Sequence, residues 1–189
     1  HVVDMIIAGK GGHIGGDMSV MEILVELYMK QMNISPENKE LDNRDRFVLS
    51  KGHSVESYYA VLAKKGFFPM EEVISTFSQF GSKFIGHPNN KLPGIEMNSG
   101  SLGHGLPVCV GMAMAGKMDR KDYRVYVVMG DGELAEGSVW EGAMAASHYC
   151  LDNLCAVVDR NRLQANGRTK ERFDTGDIMA KFLSFGWHV

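Results

Sequence analysis

Cysteine is scarce in this sequence, with Cys109, Cys150 and Cys155 the three among 189 residues. So few, so scattered, exclude a disulfide framework and a cysteine-rich metal site. Cys109 and Cys155 lie in apolar stretches and are expected to be buried free thiols, as in a reducing cytoplasm. An excess of either charge is lacking too. Twenty Lys and Arg against 23 Asp and Glu leave a formal net charge of −3. That balance gives no electrostatic footprint for nucleic acid or a membrane surface. There is no secretory signal and no apolar run long enough to span a bilayer. No internal repeat or low-complexity tract interrupts the chain. The expected location is cytoplasmic.

What is present is a hydrophobic fraction of 44%, enough for a full core in one domain, together with 22 Gly and 13 Met. Methionine is spread along helical segments and reads as core filler. Glycine clusters at 9–16, 100–105, 111–116 and 130–142. Such clusters mark places where backbone approaches something closely. The chain runs from His1 to Val189, and is expected to be one domain, residues 1–189, trimmed at both ends from something longer.

Periodicity predicts the elements. Ser19-x-x-Glu22 reads as a capping box that opens a helix, with Val20, Ile23, Leu24, Leu27 and Tyr28 on one face and an end by Asn33. A strand is expected at 46–49, a helix over 55–65 that stops at Gly66, and a short helix opened by Pro69. Residues 81–100 have little periodicity and read as a long loop that carries function rather than packing. A small-residue helix follows at about 105–118. Arg124–Met129 and Leu154–Val158 are short apolar runs that read as buried strands. Between them a helix is expected over 138–149, with Trp140, Met144 and His148 on one stripe. Strand, helix, strand of this kind is a right-handed βαβ unit in a parallel sheet. A last helix is expected over 178–184.

Asp131, in Gly130-Asp131-Gly132, follows the first of those strands, and Asn161, in Asp159-Arg160-Asn161, follows the second. Parallel strands bring both to the carboxyl edge of the sheet, where open α/β sheets bind ligands. A carboxylate and an amide carbonyl are hard oxygen donors, and magnesium takes few protein ligands plus phosphate oxygens. Gly130 and Gly132 leave backbone N–H groups open to a phosphate, and the following helix adds its positive end. Gly-Asp-Gly alone is a common tight turn; its distance to Asn161, about one βαβ unit, makes the pair a metal–diphosphate clamp. Gly9-Lys10-Gly11-Gly12 lacks the spacing of a P-loop and follows no convincing strand.

Gly-Asp-Gly, some thirty residues, then Asn is the pattern of thiamine-diphosphate enzymes. The text from Gly130 to Gly167, "GDGELAEGSVWEGAMAASHYCLDNLCAVVDRNRLQANG", resembles transketolase. So do "GKGGHIGGDMS", "SKGHSVESYYAVLAKKGFF", "GHP" and "GSLGHGLPVCVGMAMAGK", in the same order. The resemblance covers nearly the whole chain and implies an α/β thiamine-diphosphate-binding fold, a mostly parallel sheet with helices on both faces. It implies the N-terminal, diphosphate-binding domain, which many bacteria and archaea encode as a separate subunit. By position, Asp131, Asn161 and the carbonyl of Leu163 would ligate Mg2+ (or Ca2+ or Mn2+). Gly130 and Gly132 would frame the diphosphate, with an N–H from Gly132, and His53 would reach it from the other side. Gly100 and Leu102 would meet the aminopyrimidine and thiazolium. His13 and His87, with His53, would serve catalysis near the reacting carbon, since imidazoles move protons near neutrality. Glu136 would sit at a subunit interface near the aminopyrimidine. His104 stands where the family usually has Gln. Lys10 and Gln164 lie where they could approach substrate, whereas His1, His148 and His188 read as surface or packing residues.

The resemblance also implies what lies elsewhere. The family's further active-site His, its activating Glu and the residues that grip a sugar phosphate belong to later segments. The implied partner is therefore a C-terminal transketolase subunit with the pyrimidine-binding domain, in an α2β2 heterotetramer acting on sugar phosphates. The expected activity is transfer of a two-carbon ketol unit from a ketose to an aldose phosphate. Three alternatives remain open: a transketolase-like enzyme for a modified sugar, 1-deoxyxylulose-5-phosphate synthase, and a non-catalytic assembly subunit. Glu136-Gly137 and Ser50-Lys51-Gly52-His53 favour transketolase over the synthase. The kept Asp131, Asn161, His53 and His87 argue against a purely assembling role.

Overall fold

A computed structural model describes all 189 residues. Two helices come first, α1 (Val2–Gly9) and α2 (Ile14–Glu26), the second continued by a π-helical turn at Leu27–Gln31. Strand β1 (Arg46–Leu49) leads through a 3-10 turn at Gly52–Ser54 into α3 (Val55–Lys65) and then α4 (Met70–Thr76). Next come α5 (Gly105–Met118), β2 (Val125–Gly130), α6 (Gly137–His148) and β3 (Leu154–Asp159). A small hairpin, β4 (Leu163–Gln164) and β5 (Gly167–Arg168), precedes α7 (Thr169–Arg172) and α8 (Ile178–Ser184). No helix is long and apolar enough to cross a membrane.

The main sheet is parallel, in the order β1-β2-β3. Its central strand shows why the fold needs helices on both faces, since parallel strands bury both. Tyr126 and Val128 point into a core built with α1 to α4, where Tyr28, Phe47, Tyr58 and Phe77 pack. Val125, Val127 and Met129 point the other way, into a core with Leu106, Val139, Ala143 and Phe182 of α5, α6 and α8. This is the expected α/β layering. In register, Gly130 pairs with Asp159, so Asp131 and Asn161 leave the sheet by one edge.

Several sequence expectations are corrected. Ser19 opens no helix: α2 begins at Ile14 with His13 as its cap residue, and Ser19 lies in its interior. Helix α1 was not expected, although Val2 and Met5 are buried at helical spacing. Cys109 is buried, but Cys155 is exposed because β3 is an edge strand. The buried stripe of α6 is Val139, Gly142, Ala143 and Ala146, small residues that let it approach α5; Met144 and His148 face outward. The stretch between α4 and α5 has no helix or strand, as expected, yet it does pack. Phe84, Leu92 and Ile95 from it are buried in the first core.

Candidate active site

At the exit of β2, Asp131 turns the chain into a 3-10 turn over Gly132–Ala135. Its carboxylate is only 4% exposed and is held by local backbone. Oδ1 accepts from Gly132 N–H at 3.0 Å; Oδ2 accepts from Arg162 N–H at 2.9 Å and the Thr169 hydroxyl at 3.2 Å. The Arg162 bond ties the β2 exit to the β3 exit. Beyond β3, Asn161 Oδ1 accepts from Leu163 N–H at 2.9 Å and its Nδ2 donates to Ser19 Oγ at 3.2 Å. Leu163 itself has an exposed side chain, in keeping with a role through its backbone. Asp131, Asn161 and Leu163 all line one cleft of about 940 Å³, where Arg160, Arg162, Arg168 and Lys170 stand alongside Glu171, Asp174 and Asp177.

The two glycines of the turn do not offer free donors, contrary to the sequence reading. Gly132 N–H is engaged by Asp131, and Gly130 N–H donates to Glu133 Oε2 at 3.1 Å. Gly132 is needed for another reason: a Cβ there would lie 2.9 Å from the Gln164 side chain. Glu133 is a residue that sequence reasoning missed. It is 2% exposed, and its Oε1 accepts from the Ser50 hydroxyl and, at 2.8 Å, from Gly103 N–H. Burial raises its pKa while those donors lower it. One carboxylate thus ties the end of β1, the 100–103 turn and the Gly-Asp-Gly turn together. Its position inside the quoted motif was the available signal.

Across the sheet edge, three imidazoles gather. His13 caps α2 and is exposed, and its ring lies 5.5 Å from that of His53 between centroids. His53 sits in the 3-10 turn after β1. Burial, then the nearby Lys51, His13 and His87, lower its pKa to about 4. It is therefore neutral at pH 7. His87 is lowered by burial and by His13, and a Cβ on Gly100 would lie 3.1 Å from its ring. Gly16 packs as closely on His53. The three histidines and Gly100 are thus brought together, as the motifs implied.

Glu136 is exposed at the start of α6 and backs onto Gly103, where an added Cβ would approach its Cβ to 2.6 Å. Leu102 is half-buried one residue earlier, and His104 is exposed at the cap of α5. Lys10 is an exposed left-handed residue closing α1. Gln164 packs over Gly132 and leaves its buried Oε1 without a partner. Between the imidazoles and the Asp131–Asn161 pair lies a buried ion pair, Lys51 to Asp159 at 2.5 Å, which sequence reasoning also passed over although both residues stand in quoted motifs.

No three His, Cys, Asp or Glu side chains are placed to hold a metal by themselves. One carboxylate, one amide oxygen and a backbone carbonyl are too few for a closed protein site. They suit a hard cation that completes its shell with phosphate oxygens, as magnesium does.

A parallel sheet whose exit loops gather oxygen ligands, basic groups and imidazoles at one edge defines a ligand-binding α/β domain of the diphosphate-binding kind. More specifically, the chain belongs to the family described as transketolase, thiamine diphosphate binding domain, whose model matches residues 1–189. It is 50% identical over its whole length to an apulose-4-phosphate transketolase subunit of Phocaeicola vulgatus, of which it covers 66%. With 6-deoxy-6-sulfo-D-fructose transketolase subunit SqwG of a Clostridium species it shares 43% identity, over 94% of this chain and 65% of that one. Among solved structures, transketolase from Campylobacter jejuni superposes with a TM-score of 0.92 at 31% identity, over 98% of this chain and 30% of that one. The chain therefore spans about two thirds of the subunits it resembles and under a third of the longer enzyme.

Proposed function

We propose that this chain supplies the diphosphate-binding half of a transketolase that moves a two-carbon ketol unit from a ketose phosphate to an aldose phosphate. The observation that carries the reading is the convergence of Asp131 and Asn161 with His13, His53 and His87 at one sheet edge. Thiamine diphosphate, when bound, supplies the electron sink for carbon–carbon cleavage next to a carbonyl. Asp131 and Asn161 side-chain oxygens and the Leu163 carbonyl would hold a divalent cation, Mg2+ or in its place Ca2+ or Mn2+, against the diphosphate. Gly132 would turn its N–H from Asp131 to a phosphate oxygen, and neutral His53 would donate to the diphosphate. Gly100 and Leu102 would border the cofactor rings. His13 and His87 would take up and return protons at substrate hydroxyls, where general acid–base help is worth roughly 10²–10⁴-fold.

The catalytic Glu and the groups that recognise sugar phosphate would come from a C-terminal subunit bearing the pyrimidine-binding domain, with Glu136 at the junction of an α2β2 assembly. A modified sugar as substrate is the second reading, favoured by the similarity to subunits named for apulose 4-phosphate and 6-deoxy-6-sulfofructose. The experiment is a paired one on the assembled enzyme. Asp131→Ala should abolish metal-dependent binding of thiamine diphosphate. His87→Ala should keep cofactor affinity and lower turnover about 100-fold, measured with a panel of ketose donors that includes both modified sugars. Unchanged cofactor affinity in Asp131→Ala would sink the metal assignment.

A further inference from the structure

We propose that Ser19 is a positioning residue whose hydroxyl sets the orientation of the Asn161 amide, so that its oxygen rather than its nitrogen faces the metal site. The inference rests on the reading of Asn161 as a metal ligand. An amide's O and N are alike in size, so only its hydrogen-bonding neighbours decide which way it points. On its oxygen edge Asn161 accepts from Leu163 N–H at 2.9 Å, which favours the same orientation; on its nitrogen edge it has Ser19.

Four polar groups surround Ser19 Oγ. Asp159 Oδ2 lies at 2.6 Å, the Gly16 carbonyl at 3.0 Å, Asn161 Nδ2 at 3.2 Å and Lys51 Nζ at 3.4 Å. A hydroxyl has one proton to give. The Asp159 carboxylate and the Gly16 carbonyl can only accept, and the shorter, charge-assisted bond to Asp159 takes the proton. Gly16 is not left wanting, because the Lys51 ammonium donates to it at 3.1 Å. With its proton committed, the serine oxygen can only accept from Asn161. The amide must therefore turn its Nδ2 inward and its Oδ1 outward. The flipped amide would set two acceptors face to face at Ser19 and offer two N–H groups to a cation.

The charge order that fixes this chain is the Lys51–Asp159 ion pair, 1% and 6% exposed. Burying two charges is costly in itself, so the pair is better understood as the polarising end of a relay than as a stabilising contact. Its members come from the exits of β1 and β3, and Ser19 comes from α2. A helix more than a hundred residues away in sequence thus orients the ligand.

The test uses Mn2+ as the probe, with free Mn2+ counted by electron paramagnetic resonance in the presence of thiamine diphosphate. The protein is the full-length chain assembled with its pyrimidine-domain partner. Ser19→Ala should weaken Mn2+ binding by about ten-fold or more, the usual cost of losing a group that orients a ligand. Ser19→Thr, which keeps the hydroxyl, should restore most of it. In an Asn161→Ala background, Ser19→Ala should cost nothing further, because its effect runs through that amide. Ser19→Cys, similar in volume but a poor hydrogen-bonding partner, reads out the same loss should the alanine variant not fold. Unchanged Mn2+ affinity in Ser19→Ala, alongside a loss in Asn161→Ala, overturns the proposal and leaves the metal reading standing. An additive loss in the double variant overturns it as well. If Asp131→Ala and Asn161→Ala both keep Mn2+, the metal reading falls and this inference with it.

Discussion

Glu56 is the residue with the most unusual charge setting. It is 1% exposed, with the fully buried Asp17 nearby, and Glu56 Oε2 and Asp17 Oδ2 are buried without a hydrogen-bond partner. Burial, then repulsion by Asp17, push its pKa up from 4.5 to about 7. In the folded chain Glu56 thus holds its proton up to about pH 7, while the unfolded chain releases it near 4.5. Its contribution to stability grows as pH falls through that window and is lost as pH rises through 7. Glu56→Gln should therefore raise the melting temperature more at pH 8 than at pH 5. A gain equal at both pH values would refute the assignment. His53 acts in the opposite sense. Its pKa is lowered to about 4, so the unfolded chain takes up a proton first and stability falls as pH drops from 6.5 toward 4. Of the proposed site residues, Asp131, Asn161 and the three histidines were legible because each stands in a glycine-flanked motif. Glu133, Ser19 and Lys51 were not, since their meaning lies in partners 30 to 140 positions away.

Local patterning located most elements and misjudged where forces from elsewhere compete. Short apolar runs placed β2 and β3, and Gly66, in the left-handed region at φ 98°, ends α3 as expected. The Ser19-x-x-Glu22 pattern failed because the Ser19 hydroxyl is drawn to Asp159, leaving the helix to start earlier at a glycine-rich turn. The β4–β5 hairpin has two-residue strands, too short to show a period. At this scale the 100–103 turn is tightly constrained. Gly103 has φ +85°, and its N–H is held by Glu133. Gly103→Ala should cost at least about 1 kcal/mol in urea denaturation, since alanine at positive φ is strained. It should also displace Glu136, whose Cβ it would overlap, and so, on the proposed reading of Glu136, weaken cofactor binding. A variant as stable as the parent would mean that the turn rearranges freely.

Over the whole molecule, the two cores pack on opposite faces of one sheet, and His13, His104 and Glu136 remain exposed. On the proposed reading, this chain holds the diphosphate and metal, and the rest of the cofactor site comes from a partner subunit. Thiamine diphosphate with Mg2+ should therefore bind this chain weakly by itself and distinctly more tightly once the pyrimidine-domain partner is added, as isothermal titration would read. Equal affinity with and without the partner would show that the site is complete in this chain.

The sequence alone determined the fold class and brought Asp131 and Asn161, the proposed oxygen ligands, to one sheet edge, because short apolar runs and glycine-flanked turns are local signals. Only the tertiary structure decided how those two side chains are held. Which N–H groups are free, which way an amide points and which carboxyls share a buried space depend on contacts between α2, the exit of β1 and the exit of β3. Those segments are distant along the chain, and a hydrogen bond requires a few tenths of an ångström that no spacing rule conveys.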